Sequence, residues 1–205
     1  MSIEWIQAVD EKRQPLGIKS REEIHRLGYW HETFHCWFVK KVHNEWMIYF
    51  QLRSKEKADY PLLLDITAAG HLLAGETIND GIREIDEELG LAVQLQDLTH
   101  FDMIRWCAEY DGVIDREFAH VYIYDFKGSW NDFTLQKEEV DGMYRCSITE
   151  FEKLYLKQVA MIEVEGFERD HCEYKQQKKQ VSLEHFVPHD QDFYKHFFQY
   201  IREQF

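Results

Sequence analysis

The sequence predicts an α/β fold built on a mixed sheet, and three of its features lead there. Strand-length runs that alternate or are continuously apolar recur along the chain, and short segments with helix caps separate them. The composition, 44% hydrophobic and 15% aromatic with only ten Gly and three Pro, is that of a globular protein with a substantial interior. At 205 residues the chain has room for one packed domain with an extension, while two full domains would be cramped.

Taken in order, residues 3–9 (IEWIQAV) read as a short strand, and DEKRQPLG follows as a turn with Pro and Gly in turn-typical places. SREEIHRLG offers a Ser20 N-cap, acidic residues in the first turn and a Gly stop, which marks a short helix. TFHCWFVKKV and EWMIYFQLR form a hairpin about His43 and Asn44. PLLLDIT is a third run, leading into the Gly-containing loop AAGHLLAGE and then an acidic helix. Segments around LAVQL, HFDMIRWCAEY and FAHVYIYDF continue the sheet. In SITEFEKLYLKQ, Ser147 and Glu150 have the capping-box spacing ahead of helically spaced apolar positions. From about residue 160 the text is charged and loop-like, and HDQDFYKHFFQYIREQF closes as an amphipathic helix. The expected organisation is an N-terminal strand and short helix (1–28), a central domain (29–160) and a C-terminal helical extension (161–205).

A net charge of −14 argues against nucleic-acid polymers and anionic membranes as partners, since both are polyanions. No basic and apolar leader opens the chain and no run approaches the ~18 apolar residues of a membrane span, so the expected location is cytoplasmic. Cys36, Cys107, Cys146 and Cys172 are scattered without a C-x-x-C pair, which points to free thiols rather than a zinc ribbon or a disulfide framework.

Between Ala74 and Gly90 the chain carries six acidic residues in seventeen. Glu84, Glu87 and Glu88 have the i, i+3, i+4 spacing that puts three carboxylates on one helix face, where like charges destabilise a helix unless something compensates. Magnesium and manganese ions prefer such hard oxygen ligands, and the glycines of the preceding loop allow a backbone carbonyl near Ala69 and Gly70 to approach the same ion.

The stretch GHLLAGETINDGIREIDEELGL, Gly70 to Leu91, resembles the Nudix box, Gly-x5-Glu-x7-R-E-U-x-E-E-x-G-U with U aliphatic. One departure stands out: six residues, TINDGI, separate Glu76 from Arg83. This leaves the glutamate face intact but alters the helix start on which a Glu76–Arg83 brace depends. The resemblance implies an α/β/α sandwich around a mixed sheet and Mg2+- or Mn2+-assisted hydrolysis of a nucleoside diphosphate linked to another group. It makes Glu84, Glu87 and Glu88 the metal ligands, with Glu87 and Glu88 acting in catalysis, and gives Gly70, Glu76 and Arg83 structural roles around them. A further carboxylate outside the helix is wanted to complete the site or take a proton, and Glu117 in DREFAHVYIY is the candidate, with Glu138 and Glu139 as alternatives.

A second layer resembles the Nudix relatives that isomerise isopentenyl diphosphate. His25, His31, His71, Asp115 and Glu117 stand at places matching a second metal site there, whereas Ala69 occupies the position of the isomerase's catalytic cysteine. The sequence therefore resembles an isomerase-related hydrolase more than an isomerase, and a non-catalytic nucleotide- or metabolite-binding module is the other alternative. Arg53 and Lys55 are the expected phosphate-binding residues, the substrate being a small diphosphate. Relatives pair as homodimers, and the aromatic tail FYKHFFQYIREQF could serve pairing or cover the sheet.

Overall fold

The computed structural model describes residues 3–110, 112–170, 173–189 and 191–204. One sheet runs through them. Its strands are β1 (Trp5–Val9), β2 (Pro15–Ser20), β3 (Trp30–Val42), β4 (Glu45–Arg53), β5 (Leu64–Asp65), β6 (Ala68–His71), β7 (Leu98–Tyr110), β8 (Val113–Asp125), β9 (Val140–Ser147), β10 (Ile162–Asp170) and β11 (Glu173–Val181). The helices are α1 (Arg21–Leu27), α2 (Arg83–Leu89), α3 (Ile148–Tyr155) and α4 (Gln191–Gln204). The main path is β11-β10-β9-β4-β3-β1-β2, with β5 on β4, β6 and β8 on β3, and β7 on β8. Only β3 and β8 pair in parallel, from Trp30↔Arg116 to Val39↔Asp125, which makes the sheet mixed.

The period-2 alternation of β3 decides what covers each face. Trp37 shares one face with Val121 and Ile123 and lies under α3 and α4, which contribute Phe151, Tyr194, Phe197 and Ile201. Phe34, Cys36 and Phe38 turn the other way and meet Ile85 and Leu89 of α2. Each such fully buried apolar side chain is worth roughly 1.5–3 kcal/mol over leaving it in water. Helices on both faces give the sandwich, and the aromatic tail closes the sheet of its own chain.

Local chemistry sets the ends of the elements. Ser20 caps α1 by accepting from the Glu23 N–H at 3.2 Å, and Gly28 ends it at φ 67°. His43 and Asn44 turn the β3–β4 hairpin with φ 48° and 69°, as a two-residue turn of this kind requires.

Three segments depart from expectation. Pro15–Ser20 is a strand rather than part of the turn, paired to β1 through Trp5↔Ser20. LAVQL forms no strand, and Leu95–Asp97 is a 3₁₀ turn. Ile162–Asp170 and Glu173–Val181, expected to be loop-like, pair as the antiparallel strands β10 and β11. There cross-strand ion pairs such as Lys178–Glu163 (2.8 Å) replace the apolar alternation that would have announced it. Cys172 lies outside the described residues, and among those described Cys36, Cys107 and Cys146 are free. No helix of the described residues is long and apolar enough to cross a membrane.

Candidate active site

The acidic helix α2 is seated by its apolar face, Ile85 and Leu89, which leaves Glu84 and Glu88 at the seam with β6. Gly70 is what lets them fit. A Cβ there would stand 2.2 Å from the Glu84 carboxyl carbon. Glu88 is 5% exposed, and its Oε2 accepts from the Ala69 N–H at 3.2 Å and Gln51 Nε2 at 3.3 Å. Glu87 is half exposed at the rim.

Arg83 ties this face together. Its Nε and Nη2 donate to the two carboxylate oxygens of Glu76 at 2.7 and 3.0 Å, its Nη2 also to the His71 carbonyl at 3.1 Å, and its Nη1 to Glu84 at 2.6 Å and Glu87 at 3.0 Å. The brace thus survives the short spacing. Asp80–Ile82 form a 3₁₀ turn ahead of α2, and three 3₁₀ residues rise about 6 Å, as four α-helical ones do.

Burial raises Glu84 to about 7 against the opposing charge of Arg83, and it lifts Glu88 well above the carboxylate range, helped by repulsion from Glu84. Two buried carboxylates without a full set of donors fit a divalent cation, whose charge would reverse both shifts.

The second cluster draws on four elements. His25 comes from α1, His31 from β3, His71 from β6, and Asp115 and Glu117 from β8. Ligating atoms of His25, His31 and His71 lie within 4.8 Å of one another, as do those of His31, Asp115 and Glu117. Among the described residues, Glu84, Glu87 and Glu88 do not close that tightly. His31 Nε2 and Asp115 Oδ1, 3.8 Å apart, are both buried without a hydrogen-bond partner, which is the state of groups built to ligate. Burial, then the charge of His71, lowers His25 to about 3 and His31 to about 4, so each ring is neutral and keeps one nitrogen free of a proton. Burial raises Asp115. Burial would also raise Glu117, but the hydrogen bond from His35 overrides it and holds that carboxylate well below its ordinary range.

Several participants escaped sequence reasoning. Glu4 Oε2 lies 3.4 Å from His71 Nδ1, and the closeness of that ring lowers Glu4 to about 2. His35 Nε2 stands 3.4 Å from Glu117 Oε2, which also accepts from Thr33 Oγ1 at 3.3 Å. Glu117 is therefore buried within β8. Arg53 is otherwise engaged. Its Nη1 donates to Asp65 at 2.9 Å, and its Nε and Nη2 donate to the Asp59 carbonyl at 3.0 and 2.8 Å. Lys55 is exposed, with its backbone N–H on Asp141 at 3.0 Å. Besides Arg83, cations whose charge reaches the two clusters are Arg21, acting on Asp115 and His25, and Lys57, acting on Glu88. Lys57 also pairs with Glu139, one of the alternative carboxylates, and Glu138 pairs with Lys137. Neither glutamate is among the residues whose ligand atoms converge in the two groups.

Trp106 is the cross-strand neighbour of Glu117. Beside it a cavity of about 250 Å³ opens between β7 and α4, lined by Ile104, Arg105, Trp106, Asp192, Phe193 and His196. A smaller recess next to it reaches His35, Ile66 and His189.

A sandwich whose sheet presents a braced acidic helix beside a histidine–carboxylate cluster has the oxygen and nitrogen donors that suit divalent cations. The comparisons with known proteins narrow the reading. No protein-family model matches the chain. An uncharacterized Nudix hydrolase of Clostridium acetobutylicum is 37% identical over 197 residues, covering 95% of each protein. An isopentenyl-diphosphate Δ-isomerase of Photobacterium profundum is 29% identical over 122 residues, 58% of this chain and 67% of that one. A crystal structure from Deinococcus radiodurans superposes with a TM-score of 0.55 at 17% identity, over 76% of this chain and 88% of that one. The chain belongs to the Nudix hydrolase family and is a Nudix pyrophosphohydrolase. Nudix hydrolases generally use divalent metal ions.

Proposed function

We propose that this protein is a Mg2+- or Mn2+-dependent pyrophosphohydrolase of the cytoplasm, cleaving the phosphoanhydride bond of a nucleoside diphosphate derivative or another small organic diphosphate. The observation that carries the reading is the pairing of a buried Glu88 with a largely buried Glu84 seated against a glycine that leaves room for it, with Arg83 bracing the helix to its loop. Cations held by Glu84, Glu87 and Glu88 would neutralise charge developing on the phosphate oxygens and acidify a water molecule.

The chain's own groups do the rest. Arg83 fixes the helix so that its carboxylates stay aimed at the Ala69–Gly70 backbone. Arg21 and Lys57 offset the negative charge that the diphosphate brings to an already acidic site. The organic group lodges in the cavity beside Trp106. Glu117, kept ionised by His35, suits a cation better than a proton, because a carboxylate so far below neutrality is a weak base. With His25, His31, His71 and Asp115 it would hold a second cation, a reading supported by the unpartnered His31 and Asp115 atoms. Ala69, opposite His35 in the β3–β6 register, carries no acid or base with which to move a double bond. This disfavours the isomerase reaction.

The test is phosphate release from a panel of diphosphates with Mg2+ or Mn2+, repeated on Glu87→Gln. Activity confined to the unsubstituted protein supports the assignment. Equal turnover by both proteins removes it, and tight binding without turnover by either would favour a sensing module.

A further inference from the structure

The C-terminal segment reaches into the site by a route that the hydrolase reading does not use. Val187 donates its N–H to the Leu64 carbonyl at 2.9 Å, and Phe186 bridges Leu64 in parallel, so residues 186–189 lie alongside β5. His189 then places its Nε2 3.1 Å from Asp65 Oδ1. The imidazole sits among the rings of Trp37, Trp106 and Tyr194, and its carbonyl accepts from Tyr155 Oη at 2.7 Å. Asp65 is buried, and its other oxygen takes Arg53 Nη1 at 2.9 Å. The remaining arms of Arg53 hold the Asp59 carbonyl.

The loop from 54 to 63 has need of this grip. Tyr60 and Leu62 take φ of 48° and 61°, a left-handed region that residues bearing a side chain rarely adopt. Such strain persists only where the surroundings over-determine it. The same loop carries Lys57, which pairs with Glu139, and Asp59, which stands 3.8 Å from Arg21; Arg21 in turn lies 3.8 Å from Glu4, the carboxylate beside His71. The chain of contacts therefore runs from the C-terminal segment through one buried carboxylate and one arginine fork to the cations of the site.

We infer that His189 is a positioning residue: through Asp65 and Arg53 it holds the 54–63 loop, and with it Lys57 and the Arg21 partner Asp59, at the edge of the site, which makes the C-terminal segment part of substrate binding. The inference rests on the hydrolase reading for its substrate but not for its tether. A fork matters here because a lysine at 53 has one point of charge and cannot hold Asp65 and the Asp59 carbonyl together.

The experiment combines kinetics with hydrogen exchange on His189→Ala, His189→Gln, Lys57→Ala and the double variant His189→Ala/Lys57→Ala. His189→Ala should raise KM for the diphosphate about tenfold with kcat changed less than about twofold. His189→Gln, whose amide can donate to Asp65, should recover most of that. On a Lys57→Ala background the same substitution should add less than about twofold, because the two act through one loop. Amide exchange across 55–63 should quicken in His189→Ala without substrate. Equal KM penalties in both backgrounds would overturn the proposal, as would a folded His189→Ala with unchanged exchange in that loop. If the unsubstituted protein cleaves no diphosphate, the hydrolase reading falls, and the exchange measurement alone decides the tether.

Discussion

Glu84 and Glu88 reach their places from consecutive turns of one seven-residue helix, whereas His25, His31, His71, Asp115 and Glu117 are gathered from four separate elements. The first arrangement is local. Its spacing is fixed by helix geometry, its brace is a single arginine, and its space is a single missing side chain at Gly70. The second exists only because β3 pairs with β6 on one edge and with β8 on the other, which sets Thr33 opposite His71 and His31 opposite Glu117. Charge divides them further. The helix collects buried negative charge, while the assembled cluster mixes neutral imidazoles with two carboxylates pushed in opposite directions. A cation at the helix is thus demanded by charge, and one at the cluster by the geometry of unpartnered donor atoms.

The largest effect should come from asking which of the two centres carries the reaction. Glu88→Gln keeps the shape and removes a buried charge, and a loss of several kcal/mol of transition-state stabilisation corresponds to about a 10³-fold fall in kcat. His31→Gln should cost about 10–100-fold, the scale of losing support for a metal rather than its central ligand. Steady-state kinetics on both variants at saturating Mn2+ would settle the ranking, and a larger loss for His31→Gln would invert the comparison.

The opposite charge states predict opposite pH dependences in metal-free protein. Glu84 keeps its proton to about pH 7 when folded against 4.5 when unfolded, so the folded state holds more protons across that window and stability falls as pH rises through it. The effect is up to about 3 kcal/mol. His25 and His31 are depressed to about 3 and 4 from 6.5, so there the unfolded state holds more protons and stability falls as pH drops below 6.5. Melting temperatures from pH 4 to 8 in chelator should show both flanks. Glu84→Gln should shrink the alkaline one without removing it, because Glu88 and Asp115 are raised as well, and added Mn2+ should offset the loss in the unsubstituted protein. An alkaline flank of unchanged size in Glu84→Gln would assign it to the other groups alone.

Gly70→Ala separates stability from ligation at the helix. The new Cβ would meet the Glu84 carboxylate, which is the far end of a flexible side chain and can swing aside. Melting should therefore change by less than about 1 kcal/mol, while Mn2+ affinity, read by calorimetry, falls about tenfold as the displaced carboxylate leaves its place. An affinity unchanged by the substitution would show that Glu84 does not need the Gly70 side of the seam.

The same contrast explains what could be read from the sequence. The helix centre was legible down to Gly70, Glu76 and Arg83 because a motif confined to one loop and one helix keeps its spacing in the text. His25, His31, His71, Asp115 and Glu117 were legible by resemblance alone, since nothing local ties residue 25 to residue 117. Glu4, His35, Lys57 and His189 were missed because each acts through a partner set by strand register or by packing of the C-terminal segment. Arg53 was placed on the substrate because an arginine after a strand looks available, and only the fold reveals Asp65 beneath it. The β10–β11 pairing was hidden by its polarity, its strands being matched by charge across the pair rather than by an apolar face.

The smallest expected effect tests how far the assembled cluster depends on its most local support. His25 is delivered by α1, whose only deep anchor is Ile24 and whose first turn is satisfied by Ser20 accepting from the Glu23 N–H. A helix of seven residues has little cooperativity of its own, so its start depends on that cap. Ser20→Ala should cost about 1 kcal/mol of stability by urea titration. Fraying at α1 would also loosen His25 relative to Asp115, now 3.6 Å away, while leaving α2 untouched. Mn2+ titration should then show one weakened site and one unchanged. If both sites weaken together, the two centres are a single cooperative unit and the division between local and assembled chemistry fails.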